Sequence, residues 1–64
     1  MDYQSVKSYE SQQVKITLFN NFWYRAKIIS VNENSVVFIE ENGKRISVTP
    51  EAIMMILPME VQND

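Results

Sequence analysis

Trp23, Arg25 and Lys27 fall at every second position of one run, Phe22 to Val31, which reads F-W-Y-R-A-K-I-I-S-V. An extended chain turns alternate residues to the same side, so the indole and both cations share one face. Lys15 and Phe19 stand at matching parity in the run just upstream, V-K-I-T-L-F. Aromatic rings beside cations suit single-stranded nucleic acid, because a base stacked on a ring contributes about 1–3 kcal/mol and the cations meet phosphate. The competing assignment is structural: the N-terminal segment covers the rings and Arg25 pairs with Glu40.

Other chemistries lack their parts. The chain has no histidine and no cysteine, which removes disulfides, thiolate metal sites and the usual bases for a nucleophile. A single glycine cannot make a glycine-rich phosphate loop. Glu40 and Glu41 are adjacent acids placed to pair with Arg45 and Lys44 across a hairpin, a surface arrangement of small energetic weight. No enzyme activity and no cofactor are therefore expected.

The charge balance is six Lys plus Arg against eight Asp plus Glu, a net charge of −2. The sign alone disfavours nucleic acid. Its distribution does not: Lys15, Arg25, Lys27, Lys44 and Arg45 outnumber Glu33, Glu40 and Glu41 between Val14 and Thr49, and the acids concentrate at the ends. No apolar run approaches the ~20 residues that span a bilayer, so a soluble, cytoplasmic protein is expected.

The elements that must position these residues follow from period and punctuation. Residues 1–13 are polar, but Tyr3, Val6 and Tyr9 recur at helical spacing, which predicts a short helix or tail docked on the body, with Asp2 as a possible N-cap. Residues 14–58 carry five strand-like runs, and residues 59–64 read as a tail. The first strand is Val14–Phe19 and the second is the long run above. A loop of Asn20, Asn21 and Phe22 would set Leu18 against Tyr24, Ile16 against Ala26 and Val14 against Ile28, with Phe19 against Trp23 and Lys15 against Lys27 outside. Alternation breaks between Ile28 and Val31, which predicts a bulge that bends the strand between two sheets. Ser35–Glu40 forms the third strand. Asn42-Gly43 signals a type I′ turn that would set Val37 against Val48 and Ile39 against Ile46. Thr49-Pro50-Glu51-Ala52 predicts one helical turn, and Ile53–Leu57 the last strand. The expected core is Val14, Ile16, Leu18, Tyr24, Ala26, Ile28, Val37, Ile39, Ile46, Val48, Ile53 and Leu57. The fold class is all-β, a five-stranded SH3-like or Sm-like small barrel with a strongly bent second strand.

Three stretches, V-K-I-T-L-F-N-N-F, Y-R-A-K-I-I-S-V-N and E-A-I-M-M-I-L-P, resemble the Sm-like family, and within it the bacterial Hfq branch. The last is similar to the H-A-I-S-T-V-V-P that closes Hfq chains. The resemblance covers roughly Val14 to Pro58. It implies a ring of six or seven copies, in which the fourth strand of one subunit pairs with the fifth of the next, and single-stranded RNA bound around the pore. One departure stands out: where Hfq chains carry Tyr-Lys-His before the final strand, this chain has Thr49-Pro50-Glu51.

A chain this short buries a marginal core, which favours self-association. Ile46, Val48, Met54, Met55 and Ile56 are the expected interface between copies. Lys15, Phe19, Trp23, Arg25, Lys27 and Asn32 are the expected nucleic-acid-binding residues, with Asn32 placed at the pore by the resemblance. The leading expectation is a ring-forming RNA-binding protein acting as a post-transcriptional riboregulator. The alternative is an SH3-like module of phage or plasmid origin, without nucleic-acid binding, whose Trp23 and Phe19 anchor a protein partner.

Overall fold

Five antiparallel strands form one sheet in the order β4-β3-β2-β1-β5. The computed structural model describes residues 1–59; the tail expected at 59–64 lies almost wholly outside the described residues. A short helix, α1 (Tyr3–Lys7), precedes β1 (Gln13–Leu18), β2 (Trp23–Val31), β3 (Val36–Glu40) and β4 (Arg45–Val48). A 3₁₀ turn, Pro50–Ala52, leads into β5 (Ile53–Pro58). The first four strands form a meander. The chain then crosses back so that β5 pairs with β1, and the sheet is not closed: β4 and β5 are its two edges. The all-β class is as expected, and where the sequence suggests a closed or nearly closed barrel with β2 shared between two sheets, the strands form one unclosed sheet.

The core forms because alternation holds on the two central strands. Val14, Ile16 and Leu18 of β1 and Ala26 and Ile28 of β2 are buried, while Gln13, Trp23, Arg25 and Lys27 are exposed on the opposite side. Val6 of α1 is fully buried against this core, and Tyr3 and Tyr9 pack beside it, as the helical spacing predicts. Two charged groups fasten the N-terminal segment. The Glu10 carboxylate accepts from the Val31 N–H at 3.1 Å, and the Met1 ammonium donates to the Pro50 and Ile53 carbonyls at 3.1 and 2.8 Å. Asp2 stands at the N-cap position, but its carboxylate accepts from the Ser5 hydroxyl and caps no backbone N–H. Thr49 likewise gives the 3₁₀ turn no side-chain cap, although Pro50 and Glu51 occupy its start as expected.

Both tight hairpins close with the same three-residue loop. Leu18 N–H donates to the Phe22 carbonyl (2.8 Å) around Phe19–Asn21, and Glu40 N–H donates to the Lys44 carbonyl (2.9 Å) around Glu41–Gly43. The third loop residue has positive φ in each case, 72° at Asn21 and 90° at Gly43. A type I turn followed by a left-handed residue is the usual three-residue solution. In the first hairpin this moves the expected loop back by one residue and the pairing by two, to Val14–Ala26, Ile16–Tyr24 and Lys15–Arg25. The faces survive.

In the second hairpin the loop gains a residue over the expected type I′ turn, and the faces of β3 exchange. The pairs are Val36–Val48, Val37–Ser47, Phe38–Ile46 and Ile39–Arg45. Val36 and Phe38 are fully buried, whereas Ile39 is exposed and Val37 half-buried. The expected core positions Val37 and Ile39 are thus corrected to Val36 and Phe38, and the Glu40–Arg45 and Glu41–Lys44 pairings are not formed by this register. Phe38 packs its ring 5.5 Å from that of Tyr24. The bulge predicted in β2 is present, as a register shift against β3 between Ile28 and Ser30. A second shift occurs where β1 meets β5, between Thr17 and Leu18. It turns Ile53 and Ile56 inward and leaves Leu57, an expected core residue, 46% exposed.

Candidate nucleic-acid interface

β2 is longer than its neighbour at one end. Its last partner in β3 is the pair Ala26–Glu40, so Trp23, Tyr24 and Arg25 run on past the end of β3. One bond continues the ladder: the Glu41 N–H donates to the Arg25 carbonyl at 3.1 Å. In an antiparallel ladder successive residues turn their backbone groups to opposite neighbours. Trp23, two positions before Arg25, therefore turns its N–H and carbonyl toward the side where β3 has ended.

On the outer face of this overrun, β1 and β2 bring Lys15, Arg25 and Trp23 together. Lys15 pairs with Arg25 and Thr17 with Trp23. The Lys15 ammonium lies 4.8 Å from the centroid of the Trp23 ring, and the Arg25 guanidinium carbon 6.0 Å from it. Both are within reach of the negative face of the indole, a contact worth about 0.5–1 kcal/mol at an exposed site. The indole holds the two cations in place while remaining 54% exposed. The aromatic thus organises positive charge in addition to offering a surface.

Lys27 shares this face, but it pairs with Gln13 and not with Lys15. Two directly opposed lysines are replaced by a lysine opposite an amide, one rung beyond Arg25. Phe19 does not meet Trp23. It lies in the loop, 65% exposed, with its N–H bonded to the Ala52 carbonyl at 3.1 Å. Phe22, absent from the sequence assignment because it was placed in the loop, instead lines an open cleft with Asn21, Trp23 and Tyr24. Its signal was the unbroken Phe22-Trp23-Tyr24 run.

Asn32 is at the opposite end of β2. Its side-chain oxygen accepts from the N–H groups of Asn34 and Ser35, each at 2.9 Å. It shapes the β2–β3 turn and is not brought to the Trp23 cluster. Of the residues expected between copies, Met54 and Met55 are exposed on the edge strand β5, and Ile46 and Val48 of β4 are half-buried against the core. Ile56 belongs to the chain's own core, 4% exposed, and Leu57 faces outward beside it.

A second open cleft, of about 430 Å³, sits on the β3 side of the overrun, lined by Trp23, Tyr24, Arg25, Glu40, Glu41 and Asn42. Its lining joins Trp23 and Arg25 of the outer face to Tyr24 of the other face, to Glu40, which the register sets opposite Ala26, and to Glu41 and Asn42 of the hairpin. Among the described residues no group of three or more carboxylates is arranged to hold a metal ion, and no helix is long and apolar enough to cross a membrane. Comparison with protein-family models, with curated proteins and with solved structures returns no match.

Proposed function

We propose that this protein is an Sm-like subunit that assembles into a ring of six or seven copies and binds single-stranded RNA. The observation that carries the RNA reading is the exposed Trp23 ring with the Lys15 ammonium at 4.8 Å and the Arg25 guanidinium at 6.0 Å. A stacking platform bordered by phosphate-binding cations is what a single strand requires. Lys27 extends the cationic track by one rung of the sheet. The Tyr-Lys-His of the Hfq branch is absent at Thr49–Glu51, so the outer face of β2 takes the role of principal RNA surface.

The ring reading is supported by the strand order, which leaves β4 and β5 as open edges at opposite ends of one sheet. Unpaired edges invite pairing with another chain. Exposed Met54, Met55 and Leu57 make β5 too apolar to leave in water, and methionine adapts readily to an interface. Pairing β4 of one copy with β5 of the next closes both edges in every subunit.

Two measurements test the proposal. Sedimentation equilibrium should return a mass of six or seven protomers, and a monomer at micromolar concentration refutes the ring. Fluorescence anisotropy with U-rich and A-rich oligonucleotides should show binding at low salt. Contacts to phosphate from three cations, Lys15, Arg25 and Lys27, predict a slope of log K against log salt near −2 per protomer, from about −0.7 for each contact. Trp23→Ala should weaken binding by about five- to 150-fold, the loss of one stacked base. Absence of binding at low salt refutes the RNA reading. The exposed Phe19, Phe22 and Trp23 on a chain of net charge −2 favour an SH3-like module with a protein partner as the second reading. A chain that is monomeric, binds no oligonucleotide, and loses a defined protein partner on Trp23→Ala would decide for it.

A further inference from the structure

The single glycine of the chain, Gly43, follows an asparagine, Asn42. Such a pair is chemically unstable in water. The backbone nitrogen after an asparagine can attack its Cγ and close a cyclic imide, and glycine has no side chain to obstruct that approach. Asn20, Asn21, Asn32 and Asn34 are also exposed, but each precedes a residue that carries a Cβ.

Asn42 and Gly43 are exposed in the loop Glu41–Gly43, and no atom lies within 4 Å of where a Gly43 Cβ would sit. Water therefore reaches both. The Lys44 N–H donates to the Asn42 side-chain oxygen at 3.0 Å, and that oxygen collects negative charge when Cγ is attacked. A donor so placed helps most where water is excluded; on this open loop it stands in for a water contact of similar strength and adds little. The nucleophile is restrained more firmly. The Gly43 N–H donates to the Glu40 carbonyl at 2.8 Å, and the Glu40 N–H donates to the Lys44 carbonyl at 2.9 Å. Gly43 must give up its proton and turn its nitrogen toward Cγ, so these two loop-closing bonds have to open first. β4 is a four-residue edge strand, and an edge hairpin can open locally while the rest of the sheet stays paired.

We propose that Asn42 is a deamidation site whose rate is set by opening of the β3–β4 hairpin. In the opened loop the Gly43 nitrogen attacks Cγ of Asn42 and its proton passes to water. The side-chain nitrogen takes a proton from water and leaves as ammonia. A further water molecule hydrolyses the imide at either carbonyl. One product is aspartate, whose carboxylate can still accept from the Lys44 N–H. The other is isoaspartate, in which the main chain runs through Cβ and Cγ. That loop carries an extra backbone atom and cannot close with the same bonds, so β4 is unfastened from β3. This chemistry is independent of RNA binding.

The test is mass spectrometry of proteolytic fragments after the full chain is incubated in mildly alkaline buffer, natively and in concentrated urea. Conversion is read as the mass gain of an amide-to-acid change, and labelling by an isoaspartate methyltransferase marks the isoaspartate share. Asn42 should convert ahead of the other asparagines. Native conversion should be about five- to 150-fold slower than conversion in urea, the weight of two net hydrogen bonds. Ile46→Ala weakens the packing of β4 opposite Phe38 and leaves the Asn-Gly pair intact. It should speed native conversion by about tenfold and leave the rate in urea unchanged. Gly43→Ala in urea should slow Asn42 to the rate of the other asparagines. Equal native and urea rates for the wild type overturn the hairpin as the gate, as does a native rate unmoved by Ile46→Ala. Conversion of Gly43→Ala in urea at the wild-type rate overturns the part assigned to Gly43. Absence of conversion at Asn42 in both conditions removes the site. The isoaspartate fraction should unfold at a lower urea midpoint than Asn42→Asp, and equal midpoints overturn the unfastening of β4.

Discussion

The face that β3 turns to the core can be settled by weighing Phe38 against Ile39. Phe38 is fully buried and its ring contacts Tyr24 at 5.5 Å, tilted by 49°. Phe38→Ala should cost about 3–5 kcal/mol, the sum of lost transfer energy and a cavity. Roughly 0.5–1.5 kcal/mol of that belongs to the aromatic pair. A chain of 64 residues has a total stability of about 3–10 kcal/mol, at about 0.05–0.15 kcal/mol per residue. Phe38→Ala should therefore bring the protein close to unfolding at room temperature. Ile39 is 37% exposed, so its truncation opens no cavity and should cost about 1 kcal/mol. Phe38→Leu retains most of the volume and loses the ring pair, for about 1–1.5 kcal/mol, and remains measurable should Phe38→Ala fail to fold. The assay is urea denaturation followed by far-ultraviolet circular dichroism, with all proteins at one protomer concentration, because self-association adds concentration-dependent stability. If Ile39→Ala costs more than either Phe38 substitution, β3 presents its other face to the core and the register argued above is wrong.

Three further substitutions probe the local geometry. Gly43 has φ of +90°, and no atom lies within 4 Å of where a Cβ would sit; Gly43→Ala should cost about 1 kcal/mol from backbone strain alone, read as a lower urea midpoint with unchanged slope. Ser11 has φ of 70° while donating its N–H to the Ile28 carbonyl at 2.7 Å; Ser11→Gly should raise stability by about 0.5 kcal/mol, strain relief less the extra chain entropy of glycine. Val6→Ala removes two buried methyl groups beneath α1 and should cost about 2 kcal/mol by the same denaturation measurement. A cost below about 0.5 kcal/mol would mean that α1 is not docked as described.

The central hairpin was legible in the sequence because its two strands alternate cleanly. Any even shift of pairing leaves Val14, Ile16, Ala26 and Ile28 inward, so an incorrect register still gave the right faces. The third strand offered no such protection. Val36-Val37-Phe38-Ile39 is apolar throughout, so its face is set by the turn beyond it and not by its own pattern. Asn42-Gly43 suggested a two-residue turn, whereas Gly43 alone has positive φ. One added loop residue inverted the strand. The candidate site followed the same division. Lys15, Trp23 and Arg25 were found because they lie on the alternating strands. Glu40, Glu41 and Asn42 reach the cleft only through the end of β3 and its turn, which required the structure. Phe22 was lost for want of one residue in the loop assignment.

The crossing that joins β5 to β1 bears on how the chain is made. β1 through β4 can form a meander as they leave the ribosome, each strand pairing with the one before it. The other edge of β1 has to wait, because its partner is the strand translated last among those described. β4 ends at Val48 and β5 at Pro58, so at about 5–20 residues per second that edge stays unpaired for about 0.5–2 seconds after β4 is complete. The β1 stretch at risk contains Val14, Ile16 and Leu18, an apolar row whose outer neighbour is missing during that interval. Lys15 lies between Val14 and Ile16 on the opposite face of the same strand, and a charge on that edge obstructs edge-to-edge pairing between nascent chains. The residue that borders the Trp23 platform in the finished protein thus also guards the strand before the sheet is complete.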